Sequence, residues 1–243
     1  MKRNSGPWLE YAARLIRPNR AQSDVSRLEA VPSTLEILDG FESLGDSCEF
    51  GTLQKHAGIE TMSMFKWSAT PLLRLAGVIA DDLAGVDDPK NVHMRIEQRS
   101  IGSDEYMIDH ARLDSPMHSF LNVDEMSMDE AFQRQMRRLT LLRRKFLEDV
   151  RTGRRIYVYR SFDPRPMDEV RRVHEALRSK GPNRLLFVRH PGDGLEAGDV
   201  VIDRPGLAVA AIDQLAPYHA ATVILTQMWP SLLERARVVL GAA

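Results

Sequence analysis

Residues 155–189 constrain the fold of this chain more than any other stretch. Arg155-Ile156-Tyr157-Val158-Tyr159-Arg160 is a run of β-branched and aromatic residues, closed by Ser161-Phe162-Asp163-Pro164. Met167, Val170, Val173, His174 and Leu177 then recur at helical spacing until Gly181-Pro182, and Arg184-Leu185-Leu186-Phe187-Val188-Arg189 follows as a second strand run. Strand, helix and strand in that order form a β-α-β unit, whose strands lie parallel through a right-handed crossover. The unbroken apolar run at 185–188 predicts burial on both faces of the sheet. The chain is therefore expected to be an α/β protein with a partly parallel central sheet flanked by helices, three layers in all.

The remaining segments fit around that unit. Trp8, Ala12, Leu15 and Ile16 have helical spacing, and Pro18-Asn19 ends the run, so residues 1–34 read as an N-terminal helical appendage and linker before a single α/β domain at 35–243. Phe41–Leu44 has strand character. Gly45 permits a tight turn, Asp46 or Ser47 can cap the next segment, and Glu49 to His56 reads as a helix ending at Ala57-Gly58. Thr70-Pro71 opens another helix that stops near Gly85, and Val92–Ile96 and Tyr106–His110 predict a hairpin around Gly102-Ser103-Asp104. Asp114 to Ser127 reads as polar loop. Ser127 and Glu130 form a capping box for a helix reaching Arg151, with a stripe of Phe132, Met136, Leu139, Leu142, Phe146 and Val150. Val200–Ile202 and Leu207–Ile212 are short strands, and a last helix surrounds Trp229–Leu240.

Composition narrows the function classes. Of 243 residues, 43% are apolar and 28% charged, with a formal charge of −1, so there is no global preference for nucleic acid. Arg134, Arg137, Arg138, Arg143, Arg144 and Lys145 surround an ordinary core stripe without interleaved aromatics, which is the pattern of a solvated helix face. A single cysteine excludes an internal disulfide and suits a reducing, cytoplasmic setting. No apolar run approaches the roughly 18 residues of a membrane span. There is no P-loop, no Gly-x-Gly-x-x-Gly and no His-Glu-x-x-His, and His93, His110 and His118 lack ligand spacing, so neither cofactor nor metal is expected.

The chemistry-bearing corner is Phe41-Glu42-Ser43-Leu44-Gly45-Asp46-Ser47-Cys48-Glu49-Phe50-Gly51, where strand, glycine turn and helix present backbone N–H groups at a helix start. Cys48 there can act as a nucleophile if a histidine takes its proton and a third group orients the ring. His110, ending a strand with Asp109 and Asp114 close in sequence, is the first candidate for that base; His93, His190 and His219 are others. Asp46 and Glu49 flank the thiol, and their charge opposes a thiolate. Gly45-Asp46-Ser47 also has the form of the serine block of GDS-type esterases, although Asp213 and His219 do not match the Asp-x-x-His of that group. A third option is an anion site: Arg160 and Arg189 end neighbouring strands, Ser161 and His190 follow them, and Gly45 and Asp46 would share their edge of the sheet.

Ser43-Leu44-Gly45-Asp46-Ser47-Cys48-Glu49-Phe50-Gly51 followed by Phe65-Lys66-Trp67 resembles an uncharacterised bacterial family taken to be papain-like cysteine peptidases. Its members pair Ser-Leu-Gly-x-x-Cys with a Phe-Asp-Trp-like block, then a histidine near an aspartate, a basic helix and a strand ending in Phe-Val-Arg. Cys48, Phe65, Trp67, His110 beside Asp109, the helix from Phe132, and Phe187-Val188-Arg189 answer to these, over residues 38–190. Lys66 stands where the family has an acidic residue, and Asp109-His110 reverses its usual order. The resemblance implies a thiol-dependent hydrolase or an acyl or glycan-related transferase, with Cys48 as nucleophile, His110 as base, and a small-molecule or glycan-linked substrate. Beside it stand a non-catalytic or sugar-phosphate-binding module of envelope polysaccharide assembly, using Arg160, Arg189 and the helix start at Cys48, and a serine esterase using Ser47.

Overall fold

The computed structural model describes residues 32–99, 102–161, 163–213 and 221–241. The helix expected at Trp8–Ile16 lies outside the described residues, and the end of the expected linker, from Pro32, is already helical. In chain order the elements are α1 (Pro32–Asp39), β1 (Phe41–Ser43), α2 (Glu49–His56), α3 (Leu72–Ala80), β2 (Val92–Glu97), β3 (Glu105–His110), β4 (Ser115–Asn122) and α4 (Met128–Thr152). β5 (Ile156–Arg160), α5 (Met167–Arg178), β6 (Arg184–Arg189), β7 (Val200–Arg204), β8 (Leu207–Ala211) and α6 (Ala221–Val239) follow.

The central sheet has the order β1-β5-β6-β8-β7. β1, β5, β6 and β8 run parallel, and β7 returns antiparallel at the edge. Alternation along each strand divides two cores. On one face Ile156, Val158, Leu186, Val188, Ala208 and Ala210 meet α1, α2 and α6 through Leu38, Phe50, Leu53, Trp229 and Leu233. On the other face Tyr157, Tyr159, Leu185, Phe187, Leu207 and Val209 meet α3, α4 and α5. This is the α/β architecture with helices on both sides that the apolar run at 185–188 required.

A second, antiparallel sheet of order β2-β3-β4 joins the latter core through Val92, Met94, Tyr106, Ile108 and Met117. Its third strand corrects the loop expected between Asp114 and Ser127. Asp114 turns at φ +52, and β4 then pairs with β3. Ser115, Met117 and Ser119 face inward, so two of the three buried positions are small polar residues that hide the alternation.

Two helix starts also differ from expectation. The capping box of α4 is present in both halves, with Gly153 closing the helix in the left-handed region. Thr70, however, does not cap α3: Pro71 holds the N-cap, and the Thr70 hydroxyl bonds Ser68 Oγ at 3.1 Å. Neither Asp46 nor Ser47 caps α2, because Cys48 occupies that position without a side-chain bond.

Candidate active site at the carboxyl edge of the sheet

β1 pairs in parallel with β5, so the Gly45 turn opens at the carboxyl edge of the sheet, where β5 and β6 also end. Gly45 has φ +98, and a Cβ there would stand 2.9 Å from Ser68 O and 3.3 Å from Phe65 O. Conformation and space both demand glycine. Asp46 follows at φ +66, a region that aspartate tolerates better than most residues.

The chain reverses there and Cys48 starts α2. Its carbonyl accepts the Thr52 N–H at 2.8 Å and the Thr52 hydroxyl at 2.9 Å. Cys48 as a whole residue is partly exposed. The N–H groups of Glu49, Phe50 and Gly51 precede the first intrahelical donor, and none has an acceptor among the described residues.

The two flanking carboxylates are both engaged elsewhere. Ser161 Oγ donates to Asp46 Oδ2 at 2.7 Å, and Arg165 lies 3.5 Å from Asp46 Oδ1 while donating to Ser161 Oγ at 3.1 Å. Burial pushes the Asp46 carboxyl up, and the Ser161 bond and Arg165 charge act against it. Glu49 turns the other way, toward the α6 side. Its Oε2 is 3.3 Å from Arg160 Nε, and Trp229 Nε1 donates to its Oε1 at 3.1 Å. Burial raises Glu49 as well, with Arg160 and the indole bond opposing. Arg160 itself is 1% exposed and also donates to the Ser161 carbonyl.

His190 leaves β6 one residue beyond Arg189, on the side of the sheet that Val188 faces, where α2 also packs. The ring is half-buried. Burial lowers its pKa from the ordinary 6.5, the Arg160 charge lowers it further, and Asp213 opposes both. The Ile212 N–H reaches Arg189 O at 2.9 Å, so β6 and β8 stay paired up to the points where His190 and Asp213 emerge. Cys48, His190 and Asp213 thus follow β1, β6 and β8 of one sheet, with β5 lying between β1 and β6 in the strand order, and no hydrogen bond joins His190 to Cys48 or Asp213 among the described residues.

The other expected partners lie elsewhere. His110 sits in the second sheet, buried, with Nε2 donating to Val86 O at 2.8 Å and Nδ1 accepting the Leu113 N–H at 3.4 Å. A carbonyl can only accept, so this tautomer leaves neither nitrogen to take a proton from a thiol. Asp109, on the opposite face of the strand, bonds Arg95 at 3.1 and 3.2 Å, and Asp114 is 3.7 Å from Arg74. Neither orients His110. Arg189 pairs with Asp193 at 2.8 Å and donates to Gly192 O at 2.9 Å. The Ser47 hydroxyl is buried without a partner among the described residues. His219 lies outside the described residues.

Arg165, Trp229 and the electrostatic influence of Asp213 on His190 have no local signal in the sequence. Nothing local marks Trp229, which meets Glu49 across 180 residues of sequence. Among the described residues no His, Cys, Asp and Glu group could hold a metal ion, and no helix is long and apolar enough to cross a membrane. No family model matches the chain, and neither a curated protein nor a solved structure matches it.

Proposed function

We propose that the protein is a thiol-dependent hydrolase or acyl transferase in which Cys48 attacks, His190 takes the thiol proton and Asp213 orients His190. One observation carries this reading. The two carboxylates beside Cys48, which would oppose a thiolate, are bound by Ser161 with Arg165 and by Arg160 with Trp229. Cys48 is left partly exposed at a helix start whose first N–H groups have no acceptor among the described residues and can receive an oxyanion.

His190 suits the base because burial and the Arg160 charge keep it neutral near pH 7, with a lone pair to offer. The nucleophile forms a thioester with the substrate acyl group, the leaving group takes the proton from His190, and water or a second acceptor releases the acyl group. The substrate is a small or glycan-linked acyl compound, and the lone cysteine suits the reducing cytoplasm. The anion-module reading is weaker, since Arg160 faces Glu49 and Arg189 faces Asp193.

Iodoacetamide labelling of Cys48 across pH tests this. His190→Ala should slow labelling near neutral pH by roughly tenfold or more, while His110→Ala leaves it unchanged in folded protein. Labelling of the wild type at the rate of an unactivated thiol, equal in His190→Ala, overturns the assignment.

A further inference from the structure

Gly51 lies three residues after Cys48, on the same face of α2, and Lys55 lies one turn further along. A Cβ at Gly51 would stand 2.8 Å from Lys66 Cγ, 3.0 Å from Lys66 O and 3.1 Å from Trp67 Cζ3. The glycine therefore lets the Lys66-Trp67 segment lie directly against the helix, one turn beyond Cys48. Trp67 remains partly exposed.

Phe120 covers the other side of this indole. The two ring centroids are 4.9 Å apart at 75°, and Phe120 is 40% exposed. Its backbone has φ +58, unusual for an aromatic residue, and Glu105 Oε1 holds it there by accepting the Phe120 N–H at 2.7 Å. A strained residue held with its ring toward solvent is the reverse of what packing alone would select. β4 is fastened to the same segment, with the His118 N–H donating to Trp67 O at 3.0 Å and a bridge between Ser68 and Met117. The aromatic pair is thus rigid.

The charge around it is cationic. Lys55 Nζ is 5.4 Å from the Phe120 centroid, Lys66 Nζ is 5.5 Å from the Trp67 centroid, and the His118 ring stacks on Phe120 at 5.5 Å. Glu105, buried beside Phe120, is bound by Arg99 and His118, while Glu42 and Glu60 act on Lys66, so Lys55 is the cation that faces the pair without an acid partner among the described residues. From Cys48 to Lys55 along the helix axis is about 10 Å.

We infer that Trp67, Phe120 and Lys55 form a substrate subsite beside Cys48, for an acyl compound carrying a flat ring and an anionic group beyond the bond attacked. The ring lies on the exposed Trp67–Phe120 pair and the anion meets Lys55. The inference rests on Cys48 as nucleophile.

Three thiol-alkylating reagents separate the two ideas: iodoacetamide, neutral iodoacetanilide and 4-iodoacetamidobenzoate, each referred to its rate with glutathione. The benzoate should label Cys48 with saturation, roughly tenfold or more faster than iodoacetamide, and ahead of the anilide. Lys55→Gln should remove the advantage of the benzoate over the anilide, and Trp67→Ala the advantage of both over iodoacetamide. Equal normalised rates for the three reagents, or ratios unchanged in both variants, overturn the subsite. A benzoate no faster than the anilide overturns its anionic character. Slow reaction with plain iodoacetamide counts against the nucleophile instead, and the three ratios still read the subsite.

Discussion

Arg160→Met removes the guanidinium beneath the candidate site while keeping an unbranched side chain in its space. Glu49 then stays buried with only the Trp229 N–H to answer its charge. Taking one partner from a buried pair costs about 3–5 kcal/mol, mostly because the other charge is left uncompensated. Arg160 and Glu49 are each almost wholly buried, so solvent screening removes little of that cost.

In the variant, the Glu49 carboxyl loses the charge that holds it down, and its pKa rises further above the ordinary 4.5. A carboxyl that holds its proton more tightly when folded destabilises only where the folded protein must give it up. The loss should therefore be small below pH 4.5 and grow as pH rises through the raised folded value. Adding Glu49→Gln keeps an acceptor for Trp229 and removes the stranded charge. The double variant should recover more than half of the loss, a coupling of about 2–3 kcal/mol. Urea unfolding followed by tryptophan emission measures this, since Trp229 is fully buried. A single-variant loss below about 1 kcal/mol at neutral pH, or strictly additive losses in the double variant, refutes the reasoning.

Two further effects are expected. Gly45→Ala forces a Cβ to 2.9 Å from Ser68 O at φ +98, and should cost about 1–3 kcal/mol in the same urea assay; an unchanged midpoint contradicts the strain argument. His174 is buried with neither ring nitrogen bonded among the described residues, and burial, then Arg178 and Arg204, lower its pKa from 6.5. The unfolded chain binds that proton first, so stability falls as pH drops through 6.5 toward the folded value. His174→Leu should flatten this fall by up to about 1.4 kcal/mol per pH unit, and identical slopes with and without the imidazole rule it out.

The strands and long helices could be read from the residues because their patterns are local. β5 and β6 are apolar on both faces and α4 carries its stripe and capping box in order. β4 could not be read, since Ser115 and Ser119 occupy buried positions. At the site, the Gly45–Cys48 corner was legible because glycine, turn and helix are neighbours in sequence. Its partners were not. Asp109 and His110 looked like a pair because they adjoin, but successive residues of a strand point to opposite faces, so neither can orient the other. His190 and Asp213 follow the paired ends of β6 and β8 at one edge of the sheet, a placement that no spacing rule reveals. The groups that bind the Asp46 and Glu49 carboxylates come from positions 160, 161, 165 and 229, far from Cys48 in sequence.

The bond between Trp229 and Glu49 also bears on how the molecule comes into being. β1 can pair with β5 only after the ribosome has delivered more than a hundred further residues, and the indole that completes the Glu49 setting arrives on the last described helix. Contacts this far apart in sequence form late and slow the folding of the whole chain. Until α6 docks, Glu49 lacks its indole donor, and the surroundings of the thiol are incomplete. A nascent or half-folded chain therefore carries Cys48 without the setting proposed to make it reactive, and competence arrives together with the finished fold.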